Sequence, residues 1–277
     1  MSTPAQLPLL GVQRWRNRRD SYRPAGEPID PRRYGVEVVV ERDARAFVEA
    51  HHYSGTFPAA RLSVGLHRAG DGLVGVATFS VGVQAKAIPR WCGVPVAEGV
   101  ELGRFVLVDD VPANGETWFL GGAFRALLRE LPEVRVVLAY SDPLPRTSAD
   151  GSRVLPGHVG TIYQAHNGRY VGRAARRVIH LRPDGRAVSG RAATKIRKGE
   201  TGAGPEIDRL IADGARPPRW GEDVRAWLNE VLTSPPFRAL CHPGNHTYVW
   251  PVDGQRSTLR ALAPSAGPYP KHLDGSP

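Results

Sequence analysis

Residues 134–142, Val-Arg-Val-Val-Leu-Ala-Tyr-Ser-Asp, decide the architecture that this sequence predicts. The apolar run Val134–Tyr140 predicts a buried strand, because such a run persists only where both faces of the strand are covered. This strand delivers Ser141 and Asp142 to its carboxyl end, the edge at which open α/β sheets place ligands. The sheet and a candidate site are therefore predicted from the same short segment.

A second polar segment follows this strand. Residues 157–168 read Gly-His-Val-Gly-Thr-Ile-Tyr-Gln-Ala-His-Asn-Gly and predict a short helix over 158–166. The helix returns His158 and Tyr163 to the same sheet edge, where a carboxylate, a hydroxyl, an imidazole and a phenol favour a chemical site. The alternative is a buried strand followed by a polar helix cap whose hydrogen bonds are satisfied internally. On this segment alone the two interpretations are close to equal.

The periodicity of the neighbouring segments predicts a mixed α/β fold around that strand. Alternating and continuous apolar runs indicate strands, and apolar residues at steps of three and four indicate helices. The predicted elements are a strand over 34–40, a helix from an Asp43 N-cap to residue 51 or 52, strands over 61–66, 73–81 and 100–108, a long amphipathic helix over 114–131, and strands over 170–174 and 177–181.

Composition limits the class of protein. The chain has 277 residues, 41% hydrophobic and 23% charged, which indicates one large globular domain or one domain with an appendage. It contains no apolar run of about eighteen residues, so we expect no membrane span. Met1–Pro24 lacks the apolar segment of a secretory signal. Cys92 and Cys241 are far apart, which suits a reducing cytoplasm and excludes a disulfide scaffold or a zinc finger.

The charge predicts a polyanionic partner. The net charge is +10 and the isoelectric point is about 10.1, and phosphate contacts supply most of the nonspecific affinity for nucleic acid. Basic residues cluster in the first 33 residues and again over 169–198. We expect Arg173, Arg176, Lys195, Arg197 and Lys198 to contact DNA. The alternative is a basic surface that serves solubility alone.

The remaining sequence predicts an appendage. Short helices are expected over 206–211 and 222–232, with a late strand over 247–252, and Trp220 and Trp227 are assigned to the core rather than to base stacking. The predicted domains are a Pro/Arg-rich arm over 1–33, a catalytic domain over 34–181, a basic appendage over 182–261 and a flexible tail over 262–277.

The order of elements resembles that of the GNAT-type acyltransferases, in which the fourth and fifth strands splay apart to admit a pantetheine arm. On this mapping the strands over 100–108 and 134–140 form the splayed pair. The predicted fold class is therefore α/β with an α+β mixed sheet, GNAT-like, with a C-terminal basic, helical appendage. One departure concerns residues 111–117, which lack the family's glycine-rich pyrophosphate turn and place Glu116 near a helix N-terminus. An acyl-coenzyme A or a related donor is left open.

Six short motifs resemble the phage Mom-type DNA-modification proteins, a divergent GNAT-like family. They are His-His-Tyr-Ser-Gly (51–55), Glu-Leu-Gly-Arg-Phe (101–105), Glu-Thr-Trp-Phe-Leu (116–120), Tyr-Ser-Asp-Pro (140–143), Gly-His-Val-Gly-Thr-Ile-Tyr-Gln-Ala (157–165) and His-Thr-Tyr-Val-Trp-Pro (246–251). The resemblance runs from about residue 35 to 181, with the last motif as a weaker extension.

That resemblance implies an enzyme that adds an acyl-derived, carbamoylmethyl-like group to adenine in double-stranded phage DNA. The modification would block host restriction enzymes, in the cytoplasm of a bacterial host. The resemblance places His52, Tyr53, Arg104, Asp142 and Tyr163 in the active site. His52 and Tyr53, with Asp142 and Tyr163, become candidate iron ligands, although no metal-type spacing joins them.

The residue types suit group transfer. Arg104, in an apolar strand, offers a forked cation for a phosphate or carboxylate, and Asp142 can accept an amine proton or orient an adenine amino group. Ser141 adds a hydroxyl, and Tyr163 stands where GNAT-type enzymes often protonate a departing thiolate. The structural alternatives are a surface arginine, an Asp-Pro turn and a core aromatic.

Two other functional classes stay open. One is a coenzyme A-dependent N-acyltransferase that acts on a small amine or a protein. The other is a nonenzymatic DNA-binding protein, which would account for the charge but would leave the polar cluster without a role.

Overall fold

A computed structural model describes residues 11–16, 19–24, 28–82 and 84–273. The chain forms two compact units. Unit 1 comprises residues 1–142, 158–173 and 245–277, and unit 2 comprises residues 143–157 and 174–244. Of the predicted N-terminal arm, β1 (Gly11–Arg16) and β2 (Arg19–Pro24) form an antiparallel pair. Most of the other arm residues lie outside the described part of the chain.

Unit 1 is built on a seven-stranded mixed sheet. Its strands are β3 (Tyr34–Val38), β4 (Ala60–Arg68), β5 (Gly72–Ser80), β6 (Gly99–Leu107), β7 (Val136–Ser141), β10 (Arg169–Arg173) and β13 (His246–Pro251). The order across the sheet is β10-β13-β7-β6-β5-β4-β3. Every neighbouring pair is antiparallel except β6 and β7, which run parallel.

The parallel pair separates soon after it forms. β6 and β7 are paired only from Gly99 opposite Val136 to Glu101 opposite Leu138, whereas β6 continues to Leu107. They are the fourth and fifth strands of this sheet in chain order. The predicted splayed pair is therefore confirmed, and with it the GNAT-like mixed α/β fold class.

Helices cover both faces of the sheet, which explains why β7 is apolar throughout. Unit 1 contains α1 (Glu41–His51), α2 (Ala87–Cys92), α3 (Gly115–Glu130), α4 (Thr161–Ala165) and α8 (Arg256–Ala261). Val137 and Ala139 of β7 join the core that includes α3, whereas Val136 and Leu138 join a cluster with α2. This alternation follows from the two-residue period of a strand. The predicted buried strand is confirmed.

Several local predictions need correction. Helix α1 begins at Glu41 without a side-chain cap, so Asp43 lies in its first turn instead of capping it. A helix, α2, also lies between the predicted strands over 73–81 and 100–108, where no element was predicted, and it ends at Gly93 with a φ of 66°. A left-handed residue at that position terminates a helix, and glycine adopts it without strain.

The end of the chain belongs to unit 1 and not to the predicted appendage. β13 lies between β7 and β10 and pairs with both. Its backbone N–H and C=O groups therefore find partners on both edges of the strand. Residues 262–273, predicted as part of a flexible tail, also pack here. Gln164 Nε2 donates to Pro270 O at 2.9 Å, and Tyr269 lies against the core.

Unit 2 combines two small antiparallel pairs with three helices. They are β8 (Arg146–Thr147), β9 (Arg153–Leu155), β11 (Arg177–Leu181), α5 (Gly190–Lys198), α6 (Ala203–Ala212), α7 (Val224–Thr233) and β12 (Arg238–His242). β11 pairs with β12, so the strand predicted over 177–181, inside the predicted catalytic domain, is not part of the seven-stranded sheet. None of the helices in the described residues has the length and apolar character needed to cross a membrane.

The two tryptophans of unit 2 differ. Trp227 is fully buried among Ile196, Leu210 and Leu228, as predicted. Trp220, also assigned to the core, is instead fully exposed, with a relative accessibility of 104%.

Candidate functional site

The candidate site lies where β6 and β7 separate. Pairing ends at Glu101 and Leu138, and Arg104 follows three residues later on β6. Ser141 is the last residue of β7, and Asp142 follows it directly. Parallel strands that diverge leave a gap lined by residues beyond the last pair. The topology therefore brings the predicted Arg104, Ser141 and Asp142 to one end of the sheet.

Arg104 is a partly buried cation held by neutral oxygens. Its Nε donates to Thr56 O at 2.8 Å and its Nη2 to Thr56 Oγ1 at 2.7 Å. Its Nη1 donates to Gly103 O at 2.5 Å. Burial lowers the pKa of Arg104, an effect that nearby acidic groups such as Glu101 partly offset. The guanidinium stays charged at neutral pH, so the site contains a desolvated positive charge that suits an anionic or carbonyl group.

His52 follows α1 and is held as a neutral ring. Its backbone N–H donates to Val48 O at 2.8 Å, and its Nδ1 accepts the Ser54 N–H at 3.1 Å. Burial, with smaller contributions from the nearby Arg104 and His158, lowers the pKa of His52 to about 3. Because Nδ1 accepts, the proton of the neutral imidazole is on Nε2.

A row of rings continues from His52 into α4. The ring centroids of His52 and Tyr53 are 4.1 Å apart, those of Tyr53 and His158 6.3 Å, and those of His158 and Tyr163 6.4 Å. The backbone N–H of His158 donates to the backbone carbonyl oxygen of Asp142 at 2.8 Å. This bond joins the segment before α4 to the end of β7. The structure therefore brings the predicted His52, Tyr53 and Tyr163 together with His158.

Burial gives His158 and Tyr163 complementary protonation states. It lowers the pKa of His158 to about 4, so the imidazole is neutral and able to accept a proton at pH 7. It raises the pKa of Tyr163, and the nearby Tyr53 and Glu101 raise it further. The phenol thus keeps its proton. A neutral base and a protonated acid side by side are what a proton-coupled transfer needs.

Gly160 sets the approach of α4 to β7. Its φ is 80°, and a Cβ there would lie 2.7 Å from Tyr248 Cε2, 3.0 Å from Tyr163 Cδ2 and 3.1 Å from Ser141 Oγ. Ser141 is fully buried, and its Oγ has no hydrogen-bond partner within the described residues. A buried hydroxyl left in this way is unfavourable unless a bound group completes it.

Sequence reasoning missed Glu101 and Tyr248. Glu101 is 8% exposed and acts electrostatically on both Arg104 and Tyr163. The Tyr248 hydroxyl donates to Val159 O and accepts from Gln164 Nε2 at 3.0 Å. The signal for Glu101 was present, since an acid in an apolar strand next to Arg104 requires a reason. Tyr248 could not be placed without knowing that β13 joins this sheet.

The predicted iron site, His52 and Tyr53 with Asp142 and Tyr163, stays a prediction. The described part of the chain contains no group of three or more His, Cys, Asp or Glu side chains that could hold a metal ion. His52 Nδ1 already accepts from Ser54.

The start of α3 offers little support for a coenzyme A pyrophosphate. Glu116 lies in the first turn and is 7% exposed. The Gly115 N–H donates to Pro112 O at 3.1 Å and the Trp118 N–H to Asn114 O at 3.0 Å. These two backbone N–H groups are therefore already hydrogen-bonded within the protein. The negative charge of Glu116 would in addition repel a pyrophosphate at the start of the helix.

The predicted DNA contacts are distributed over both units. Arg173 lies in β10 of unit 1, and Arg176 lies in unit 2 just before β11. Lys195, Arg197 and Lys198 occupy the last turn of α5, also in unit 2. Of the five residues predicted to contact DNA, the structure therefore groups the three that lie in the last turn of α5.

Fold and site together define an α/β protein with a partly buried site of proton-transferring groups, at the opening between two parallel strands of a mixed sheet. The model of the Mom protein family matches residues 33–220, which is more than half of the chain. The chain therefore belongs to the Mom protein family, and the resemblance predicted from the motifs is confirmed. The match extends beyond the predicted limit at residue 181 and includes α5 and α6 of unit 2.

A solved structure gives a more distant likeness. A tandem GNAT protein from the clavulanic acid biosynthesis pathway (without AcCoA) is 10% identical, with a TM-score of 0.39 over 80% of this chain and 99% of that chain. A likeness this distant does not bear on the site. No curated protein sequence matches the chain.

Proposed function

We propose that this Mom-family protein is a transferase that adds an acyl-derived, carbamoylmethyl-like group to adenine in double-stranded DNA and thereby protects the DNA from restriction. The observation that carries the proposal is the row of Tyr53, His158 and Tyr163 beside Arg104, where β6 and β7 separate. The net charge of +10 supports a polyanionic substrate.

The protonation states assign a part to each group in the transfer. A bond forms between the adenine amino nitrogen and the donor carbon, and the bond from that carbon to the leaving group breaks. The neutral His158 accepts the proton that the amine loses, and Tyr163 gives its proton to the leaving group. Arg104 holds the polar group of the donor.

Ser141 and Asp142 orient the acceptor in this proposal. The buried Ser141 Oγ gains a hydrogen-bond partner when the base is bound. Asp142 lies at the end of β7, from which its carboxylate can accept an N–H of the adenine amino group. Because a paired base is inaccessible inside a duplex, the adenine enters this opening only after it leaves the stack.

Mass spectrometry of nucleosides tests the proposal. DNA from cells that express the protein should contain a new adenine adduct, and Tyr163→Phe should reduce it strongly. Tyr140→Phe is the matched control, because Tyr140 packs on the α2 side of β7. Repeated absence of any adduct with the wild-type protein contradicts the proposal.

The same samples separate the two alternatives. A saturable rise in melting temperature with acetyl-coenzyme A, without an adduct, would favour an N-acyltransferase of small amines or proteins. A ligand at 100 times its dissociation constant stabilises by about 2.7 kcal/mol, which is readily detected. Tight DNA binding without an adduct or a coenzyme A shift would favour a nonenzymatic DNA-binding protein.

A further inference from the structure

Trp220 is the most unusual surface residue of unit 2. Its relative accessibility is 104%, and Val178, at 61%, is the other large apolar side chain exposed in the described residues of this unit. Removing a tryptophan side chain from water is strongly favourable, so an indole that is fully exposed is available to a ligand. Neither the fold nor the proposed chemistry uses it.

The turn that carries Trp220 is rigidly built. Arg216 Nη1 and Nη2 donate to the two carboxylate oxygens of Glu222 at 2.8 and 2.6 Å, and Arg216 Nε donates to Glu230 at 2.9 Å. The Arg219 N–H donates to the Glu222 carboxylate at 2.7 Å. These bonds close the turn on both sides of Trp220, so little conformational entropy is lost when the indole binds.

The base of the turn is anchored to the core of unit 2. Trp227 Nε1 donates to Arg216 O at 2.8 Å, and the Trp227 ring is fully buried. Trp220 is therefore presented from a fixed support rather than from a loose loop.

The surroundings of Trp220 favour a nucleic acid over an apolar protein surface. Arg219 and Arg225 are exposed near it in the chain. Arg225 Nε donates to Arg197 O at 2.9 Å, which brings the basic last turn of α5 next to the start of α7. Arg216 is shared by two acids, Glu222 and Glu230, and a third acid, Asp223, caps α7. Arg219, Arg225 and the three cations in the last turn of α5 outnumber them. A single aromatic ring among cations matches one base between phosphates.

We infer that Trp220 stacks on a base of DNA that is not paired, with the cations around it on the flanking phosphates, so that unit 2 is a DNA-binding surface of its own. This inference rests on the proposed function, because it takes DNA to be the substrate. It adds a recognition element that reads an opened base through its ring face, independently of sequence.

Binding of a duplex with one bulged 2-aminopurine tests the inference on the full chain. Trp220→Ala should weaken binding about tenfold or more, and Trp220→Phe should restore most of the affinity because it keeps a ring. Val178→Ala is the matched control and should bind like wild type. The quenching of 2-aminopurine fluorescence by stacking should be lost in Trp220→Ala alone.

The salt dependence distinguishes stacking from charge. Because the indole is neutral, Trp220→Ala should weaken binding by the same factor at every salt concentration, with an unchanged log–log slope. Wild-type affinity in Trp220→Ala overturns the inference. So does unchanged DNA binding with an altered oligomeric state in sedimentation, since the indole would then contact protein.

The adenine adduct, measured on the same preparations, separates this inference from the proposed function. An adduct with wild type, together with unchanged binding by Trp220→Ala, overturns stacking alone. Failure of the wild-type protein both to bind DNA and to form the adduct overturns both.

Discussion

Arg104 and Arg135 lie at opposite ends of the same pair of strands and are held in opposite ways. Arg135 precedes β7 at the paired end, where its Nη1 donates to Glu98 at 2.8 Å and its Nε to Asp253 at 3.1 Å. These carboxylates raise the pKa of Arg135. Arg104, at the separated end, has described hydrogen bonds to backbone and hydroxyl oxygens, and burial lowers its pKa.

The difference supports our proposal that the paired end of the sheet is structural and the separated end is chemical. A guanidinium between two carboxylates has its charge compensated and serves to join chain segments. A guanidinium whose described hydrogen bonds go to neutral oxygens, and whose desolvation the Glu101 carboxylate offsets only in part, is an unfavourable arrangement for folding alone. It becomes understandable when a ligand supplies the compensating charge, which is the situation expected at an active site.

The largest expected effect is on activity at the separated end. Arg104→Gln should reduce the adenine adduct by roughly 100-fold or more, because it removes the charge that holds the donor. The melting temperature should change little, because the gain from removing a desolvated charge is offset by the loss of a cation near the buried Glu101. Arg135→Gln is the matched control and should lower the melting temperature while it leaves the adduct formed per folded protein near the wild-type level. Equal effects of both variants on adduct and stability would break the comparison.

A second variant tests the proton acceptor at the separated end. His158→Gln keeps a polar side chain but cannot take up a proton, so we expect the adduct to decrease by a factor of the order of 100. Single-turnover rates over pH 5 to 9 measure the effect. His67→Gln, in β4, is the control. A His158→Gln enzyme with wild-type rates would remove the base from the proposal.

The basic turn of α5 should affect binding more than chemistry. Neutralising Lys195, Arg197 and Lys198 together should weaken binding similarly across DNA sequences, because phosphate contacts carry no sequence information. The log–log salt slope should flatten by roughly 0.9 for each duplex phosphate that the variant no longer neutralises. Salt titrations of DNA binding by the triple alanine variant measure this slope. An unchanged slope would mean that these residues form only a solvated surface.

The last prediction concerns the pH dependence of stability, which differs between the two ends. The folded-state pKa values of His52 and His158, about 3 and about 4, lie below the value of about 6.5 in an unfolded chain. Between these values the unfolded chain binds more protons, so the free energy of unfolding falls as the pH is lowered from about 6.5 toward 4. The slope is at most about 1.4 kcal/mol per pH unit for each histidine.

At the paired end of the strands, stability changes over a lower range of pH. Burial alone would raise the pKa of Asp253, but hydrogen bonds from Thr258, Gln255 and Arg135 together lower it. The stabilising contribution of Asp253 is complete above the unfolded value of about 3.9 and disappears as the pH falls toward the folded value. The free energy of unfolding is measured with urea from pH 7 to 3. Its decrease between about pH 6.5 and 4 should be smaller in His158→Gln and unchanged in Asp253→Asn. The reverse pattern would contradict the assignment.

The sequence predicted what depends on neighbours along the chain. The apolar run before Ser141 predicted a buried strand, and the spacing of Phe119, Leu120 and Leu127 predicted α3. Their signals are periodic and local, so no partner had to be known. The splayed pair, in contrast, was implied by the resemblance of the element order to the GNAT-type acyltransferases.

What could not be predicted depends on partners distant in the chain. β11 has the pattern of a sheet strand, and nothing local shows that it pairs with β12 rather than with the central sheet. The exposure of Trp220 follows from the ion pairs of Arg216, which satisfy the turn without the indole. The site was therefore predicted in its local parts, Arg104, Ser141, Asp142 and Tyr163, but without Glu101 and Tyr248.

The position of β13 has a consequence for biosynthesis. The strand at the centre of the β10-β13-β7 group is the last of the sheet to leave the ribosome, after the whole of residues 174–244. Until then β7 and β10 present open edges, which are templates for aggregation. Early folding of the intervening segment as a unit would shorten that interval, so nascent chains that stall before residue 246 should be the species that chaperones capture.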